Sequence, residues 1–193
     1  MKAGVLTLDP LRFGIAGGRL NGKVRIDGRD DPAQGSMELH ARGLHLAKLF
    51  PKVGEAPASV GTLGASAKLV ASGNSVAALL GSANGELSAG ISRGTVSKFV
   101  LEAAGLNIAN ALLTRMFGDS QVQMNCMVAN FELRQGIARP RVFVLDTRDA
   151  TINVSGAINL QGERYDLTLH PQSKGLRVLS LRSPLYVRGS FGD

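Results

Sequence analysis

Alternation of apolar and polar residues is the feature that most limits how this chain can fold. In the segment GAINLQGERYDLTLHP, residues 156–171, apolar residues occupy every second position on both sides of a turn at 161–163. They are Ile158, Leu160, Tyr165, Leu167 and Leu169. Because successive side chains of a strand point to opposite faces, the pattern predicts a hairpin with one apolar and one solvated face.

The same alternation recurs along most of the chain and predicts a mainly β protein. Glycine is frequent, with 24 residues, which in such a pattern indicates many turns and bulges. The spacing of the strands favours an antiparallel meander, in which neighbours in sequence are neighbours in the sheet. We predict strands at 4–8, 12–18, 18–28, 35–44, 65–73, 85–94, 121–136, 138–147, 150–160, 164–171 and 183–191.

Helical patterns are few. Residues 97–117 show a wide apolar stripe at helical spacing and predict the one long helix, with Ser97 as a possible N-cap. A short helix is predicted within 74–85, capped by Asn74 or Ser75. Residues 44–51 predict a helical turn that ends at a proline.

The domain organisation is that of one β-rich region spanning residues 1–193. A Gly/Pro/Ser-rich link at 52–59 divides it into possible sub-units, 1–51 and 60–193. The strand pattern begins directly after the first residues, so we expect the chain to be an excerpt of a longer protein.

Composition excludes several classes of function. The net charge of +7 is compatible with nucleic acid or an anionic membrane, but the basic residues are scattered, and no run of five occurs. Tryptophan is absent and aromatic residues make up 5%, which argues against stacking platforms for nucleic acid. We expect no nucleic-acid partner. The single cysteine, Cys126, alternates with Met124 and Val128 and is expected to be a small core residue.

Motifs for catalysis are missing from the sequence. The three histidines lack the converging spacing of a metal site. Ser66 and Lys68 would share a strand face, but no oxyanion hole accompanies them. Asp146 and Asp149 flank a turn, where aspartate usually bonds backbone amides. We therefore expect no enzyme activity, no metal and no cofactor.

The strands outnumber the helices that could cover them. A sheet face must be buried against something, and one helix of about 20 residues, about 30 Å long, cannot cover ten strands. Either the sheet packs on itself, or part of its apolar face stays open. Open apolar patches beyond a few hundred Å² mark interaction sites.

The sequence resembles the C-terminal part of the AsmA family of bacterial envelope proteins. The similar stretches are 4–20, 60–112 and 131–191, which together make up most of the chain. The most specific signatures are Leu145-Asp146-Thr147, Gly156 with Ile158 and Leu160, the run 163–171, and Ser183-Pro184-Leu185 with Gly189.

The resemblance implies a non-enzymatic periplasmic protein that supports outer-membrane assembly. It also implies an N-terminal helix, missing from this chain, that anchors the full-length protein in the inner membrane. The larger group resembles bridge-like lipid carriers, which are elongated, curved sheets with an apolar trough. The expected partners are phospholipid, the inner membrane and envelope proteins.

The residues expected to line a lipid groove are alternating aliphatic residues near the C-terminus. They are Ile152, Val154, Ile158, Leu160, Leu167, Leu169, Leu185 and Val187. The face of the long helix that would serve as a plug, end cap or membrane contact comprises Val100, Ala104, Ile108, Leu112 and Met116.

Two alternatives remain open from the sequence. The same aliphatic residues could form the closed core of a sandwich. The chain could also be a structural or protein-binding module that recruits envelope partners through open sheet edges.

Overall fold

The computed structural model describes residues 4–49, 61–96, 122–174 and 183–191. These residues form one eleven-stranded sheet and two short helices. The strands are β1 (Val5–Ile15), β2 (Gly18–Asp27), β3 (Gln34–His45), β4 (Thr62–Ser72), β5 (Asn84–Ile91), β6 (Gly94–Val96), β7 (Val122–Arg134), β8 (Ile137–Thr147), β9 (Ala150–Asn159), β10 (Arg164–Ser173) and β11 (Leu185–Ser190). The helices are α1 (Leu46–Leu49) and α2 (Val76–Ser82).

The sheet is an antiparallel meander, as the strand spacing predicted. Ten strands follow one another in the order β1-β2-β3-β4-β5-β7-β8-β9-β10-β11, and β6 pairs with β7 off this path. β3 and β4 pair directly from Gln34 opposite Ser72 to His45 opposite Thr62. The parts of the chain before and after the predicted link therefore share one sheet; the link at 52–59 lies outside the described residues.

The first strand corrects the sequence-based prediction. The strands predicted at 4–8 and 12–18 are a single strand, β1, which contains a bulge. Leu8 pairs with Val24 and Leu11 with Gly22, so β1 contains one residue more than β2 over this interval. Because the bulge absorbs the extra residue, Leu8 and Leu11 lie on the same face although they are three positions apart. A strict period of two therefore breaks at this point.

The prediction of a long helix is not borne out. Residues 97–117 lie outside the described ranges, and within those ranges the helices are the four-residue α1 and the seven-residue α2. α2 confirms the short helix predicted within 74–85. Its N-cap is Ser75, whose Oγ accepts a hydrogen bond from the Ala78 N–H at 3.1 Å.

Cys126 corrects a second expectation, since it is exposed rather than buried. Met124 pairs with Thr147 and Cys126 with Asp146. Over this interval β7 advances by two residues and β8 by one, so β7 contains a bulge. The bulge leaves Met124 buried and places Cys126 opposite Asp146, whose row is polar. A bulge reverses the inside–outside phase that simple alternation predicts.

The strands end at two unlike edges, which we call the α2 end and the distal end. The α2 end carries α2, the β2–β3 connection, and the β7–β8 and β9–β10 turns. The distal end carries the β1–β2 turn, α1 and the β8–β9 turn. This assignment follows from the antiparallel register.

Candidate functional site

The sheet has one continuous apolar face. Pairing in register places one residue from each of the ten meander strands in a row across the sheet. That row reads Leu8, Val24, Met37, Leu69, Gly85, Leu133, Ala138, Ile158, Tyr165 and Gly189. None of these side chains is charged, so the apolar stripes of single strands merge into one surface.

The opposite face is a ladder of charges. The adjacent row, which points to the other side, reads Lys23, Glu38, Lys68, Glu86, Glu132 and Arg139. Lys23 contacts Glu38 at 3.0 Å, and its hydrogen bond lowers the pKa of that carboxyl. Arg141 contacts Glu86 at 2.6 Å. These exposed pairs each contribute little to stability, and the face they form is solvated.

The sheet curls toward its apolar face around α2. The Leu79 Cδ2 atom lies 3.6 Å from the position of a Cβ on Gly35 of β3. Two residues further along the helix, a Cβ on Gly81 would lie 3.0 Å from Cγ of Gln161, in the β9–β10 turn. In a flat sheet β3 and β9 would be five strand spacings apart, about 24 Å. A helix about 10 Å long reaches both places because the sheet bends around it, which makes the apolar face concave at this end.

Glycines in two central strands permit this bending. Gly85 and Gly156 have φ angles of +137° and +119°, which side-chain-bearing residues rarely adopt. A Cβ on Gly156 would lie 2.1 Å from the Asp166 carbonyl oxygen, and one on Gly85 would lie 2.0 Å from that of Lys68. Neighbouring backbones therefore approach at these points more closely than any side chain allows. Glycine kinks of this kind introduce curvature into sheets.

The apolar face is packed on one side and open on the other. Near α2, Ala83, Leu133 and Ala138 are buried and form one cluster. In contrast, apolar side chains on the β1–β2 flank and on β5 keep between 36% and 57% of their surface exposed. They are Leu8, Phe13, Ile15, Ile26 and Leu87. The four on β1 and β2 expose on the order of 300 Å² together, the size of a patch that is often functional.

The predicted groove residues all lie on or beside this concave face. Ile152 is 1% exposed and packs against Leu145, Val154, Leu169 and Leu185. Ile158 and Leu160 pack against the buried cluster near α2. Leu167 and Val187 face each other on β10 and β11 and are half-buried.

The structure thus packs half of the predicted set together, with Val154, Leu169 and Leu185 against Ile152. Whether they also touch lipid stays a prediction. The helix-face residues Val100, Ala104, Ile108, Leu112 and Met116 lie outside the described residues.

The open flank of β1 and β2 was missed by sequence reasoning. Outside the bulge in β1, its residues alternate as those of β9 and β10 do, so the pattern alone could not show which stripe is covered. One signal was present: Pro10 interrupts β1, and proline in a strand is typical of an edge strand. Among the described residues β1 pairs with β2 alone, so no further strand lies beside its apolar side chains.

The candidates for catalysis remain separate from this face. Ser66 and Lys68 lie opposite His40 and Glu38, in rows that point to the charged face. Among the described residues no group of three or more His, Cys, Asp or Glu side chains could hold a metal ion. In the same residues, no helix is long and apolar enough to span a bilayer.

Asp146 serves the turn between β8 and β9. Its carboxylate accepts hydrogen bonds from Lys174, from the Thr151 hydroxyl at 2.7 Å and from the Asn125 amide at 2.8 Å. These bonds, with Lys174 first, lower the pKa of Asp146 to about 2. The carboxylate is thereby fixed as an anion that orients neighbouring segments.

Comparison with known proteins decides the family. The model described as AsmA family matches residues 1–143. The chain belongs to the AsmA family. AsmA family protein YhjG of Escherichia coli (strain K12) is 44% identical over 191 residues, which cover 99% of this chain and 28% of that protein. No solved structure matches.

The chain therefore spans little more than a quarter of this relative's length. Membership of the AsmA family suggests a role related to the cell envelope.

Proposed function

We propose that this AsmA region is a non-enzymatic periplasmic module that holds the acyl tails of phospholipids on its concave apolar face. In the full-length protein, anchored to the inner membrane, it would pass lipid along the sheet in support of outer-membrane assembly. The observation that carries the proposal is the row of ten uncharged residues, one from each meander strand. An uninterrupted row offers a tail the same apolar environment at every strand.

The energetics favour a hydrocarbon ligand over a polar one. A buried CH₂ group is worth about 0.8 kcal/mol. A tail of about 16 carbons could therefore gain on the order of 10 kcal/mol on a fully covering face. The concave face presents no charged side chain in the row that crosses the sheet, so a polar ligand would find few partners to replace its water.

The open β1–β2 flank supports the same proposal. Near α2 the apolar side chains bury one another, whereas Leu8, Phe13 and Leu87 remain partly exposed to water. A tail lying over these side chains would remove that exposure. We place the proposed contact with lipid along β1, β2 and β5 rather than in the cluster around Ile152.

Native mass spectrometry of the purified 193-residue chain tests the proposal. We expect the native chain to carry co-purifying phospholipid, and Leu87→Asp to lose it, because a carboxylate on the concave face costs several kcal/mol against hydrocarbon. Val128→Asp is the matched control: Val128 is also partly exposed but lies in a row facing the charged side. Both variants should keep the far-UV circular dichroism spectrum of the native chain.

Two results would contradict the proposal. One is a native chain that carries no lipid after purification from bacterial membranes. The other is equal lipid content in Leu87→Asp and Val128→Asp, which would show that the concave face is not the binding surface.

A second candidate function is recruitment of an envelope protein by strand addition. β11 is the last strand of the described sheet and pairs only with β10 among the described residues, so one of its edges offers backbone groups to a partner. The edge of β1 is less suitable, because Pro10 and the bulge interrupt it. Lipid-free protein that binds an envelope partner through β11 would favour this candidate.

A further inference from the structure

The tip of the β1–β2 hairpin combines exposed apolar and basic side chains. The tip comprises residues 12–19 at the distal end, and its turn is held by a hydrogen bond from the His45 N–H to the Ala16 carbonyl at 3.0 Å. A Cβ on Gly17 would lie 3.1 Å from the Lys48 Nζ atom, so the α1 ammonium group sits against the turn. The hairpin tip, the end of β3 and α1 thus form one corner of the molecule.

The apolar part of this corner is the most exposed region of the concave face. Phe13 is 57% exposed and Ile15 is 44% exposed. Both lie on the apolar face, since Phe13 pairs with Leu20 and Ile15 with Gly18. Two large apolar side chains at a hairpin tip are therefore free to enter an apolar phase.

The basic part of the corner consists of three arginines and one lysine. Arg19 and Arg42 lie directly opposite each other on β2 and β3, and Arg12 lies on the same face of β1. Within the described residues, none of these arginines nor Lys48 forms an ion pair, whereas Lys23, Arg141 and Arg188 elsewhere on the sheet each contact a carboxylate. Like charges directly opposite each other destabilise a sheet, and an external anion would relieve that repulsion.

We propose that this corner docks on the surface of a bilayer that contains anionic phospholipids. Phe13 and Ile15 enter the boundary between headgroups and acyl chains, while Arg12, Arg19, Arg42 and Lys48 meet lipid phosphates. Arginine suits this contact because its guanidinium forms paired hydrogen bonds with phosphate oxygens. Phe13 and Ile15 lie on the apolar face of the hairpin and the arginines on its opposite face. Segments that lie in a membrane interface usually combine an apolar and a basic face in this way.

The docked orientation has a structural consequence. It turns the distal end of the sheet toward the bilayer and the α2 end, where the concave face is packed, away from it. The open β1–β2 flank then begins at the membrane surface. The proposal goes beyond lipid binding by the concave face, and it holds or fails independently of whether that face carries lipid in solution.

Vesicle flotation with the 193-residue chain tests the electrostatic part. We expect binding to vesicles of phosphatidylcholine with 30% phosphatidylglycerol, and weak binding to phosphatidylcholine alone. Arg19→Gln with Arg42→Gln should weaken binding about 30-fold, since each basic residue near an anionic surface contributes about fivefold. The control is Arg139→Gln with Arg164→Gln, which removes the same charge from exposed arginines distant from the tip.

Equal weakening by the two double variants would overturn the proposal, because net charge and not the corner would then govern binding. Binding to heparin without binding to the anionic vesicles would also overturn it, since that result indicates a polyanion partner. Binding of the native chain that is unchanged in 1 M salt would show that the arginines do not contribute.

Fluorescence tests the apolar part, because the chain contains no tryptophan. In Phe13→Trp, the emission should shift to the blue and become protected from iodide when anionic vesicles are added. Tyr186→Trp, at a position that is 67% exposed, provides the control and should show neither change. An unchanged Phe13→Trp spectrum under conditions in which the variant floats with vesicles would exclude insertion of the tip.

Discussion

Thr147 closes the β8–β9 turn with a single hydroxyl, and its removal should destabilise the sheet measurably. The Thr147 side chain is fully buried, and so is Ala150. The hydroxyl donates to the Ala150 carbonyl at 2.7 Å and accepts from the Ala150 N–H at 3.0 Å. On the other side of β9, the Lys174 N–H donates a hydrogen bond to the Asp149 carbonyl. Because neighbouring residues of a strand direct their backbone groups to opposite sides, the N–H and carbonyl of Ala150 point toward β8. The Thr147 hydroxyl therefore takes the place of a strand partner.

The expected magnitude follows from these two bonds. Thr147→Val keeps the shape of the side chain but leaves a buried N–H and a buried carbonyl without partners. Each unsatisfied group costs about 1–3 kcal/mol, so the free energy of unfolding should fall by roughly 3 kcal/mol. For a domain of this size, about 2–4 °C per kcal/mol converts this to a decrease of roughly 6–12 °C in Tm.

Differential scanning calorimetry or urea unfolding followed by circular dichroism measures the change. Thr147→Ser is the matched control, because it keeps the hydroxyl and removes one methyl group at a cost of about 1 kcal/mol. A Thr147→Val variant as stable as Thr147→Ser would refute the reasoning. It would show that Ala150 obtains its hydrogen bonds elsewhere, and that the Leu145-Asp146-Thr147 signature has another origin than this turn.

Two further predictions concern acid stability and curvature. Lys174, Thr151 and Asn125 lower the pKa of Asp146 to about 2, so the carboxylate stabilises the fold above about pH 4 and this contribution disappears as the pH falls toward 2. In urea titrations, Asp146→Asn should therefore lose less stability than the native chain between pH 4 and pH 2. An equal loss in both proteins would contradict this role. Gly156→Ala should cost several kcal/mol or prevent folding, because the φ of +119° is strained for alanine and the Cβ would lie 2.1 Å from the Asp166 carbonyl oxygen. The control is Gly14→Ala, since no atom lies within 4 Å of a Cβ added at Gly14. Similar melting temperatures for the two variants would argue against the close approach at Gly156.

Local sequence patterns determined the strands and their connectivity. Alternation over residues 150–160 and 164–171 corresponds to β9 and β10, and the turn between them is where the Gln-Gly-Glu segment predicts it. The meander order was also predicted from the sequence, and it is explained for the strands joined by short connections, which leave little choice of neighbour. α2 followed from its cap and its length. In each case the physical cause acts between residues close in the chain.

The positions of the bulges are the first feature that the sequence pattern did not predict. The phase of β1 changes at Pro10, and the phase of β7 changes between Met124 and Cys126. A bulge is decided by pairing with another strand, and the composition of the bulged strand alone does not reveal it. The exposure of Cys126 was mispredicted for this reason.

The tertiary structure alone decided what the apolar stripes become. The sequence predicted that each strand has an apolar face, and composition showed that helices are too few to cover all of them. Register between distant strands aligned those faces into one surface, and close approaches at Gly85 and Gly156 allowed that surface to curl around α2. The curl buried Ala83, Leu133 and Ala138 and left Phe13 and Ile15 exposed at a hairpin tip whose arginines form no ion pair within the described residues. Identical alternation thus led to core in one part of the sheet and to open surface in another, because burial depends on neighbours that are remote in sequence.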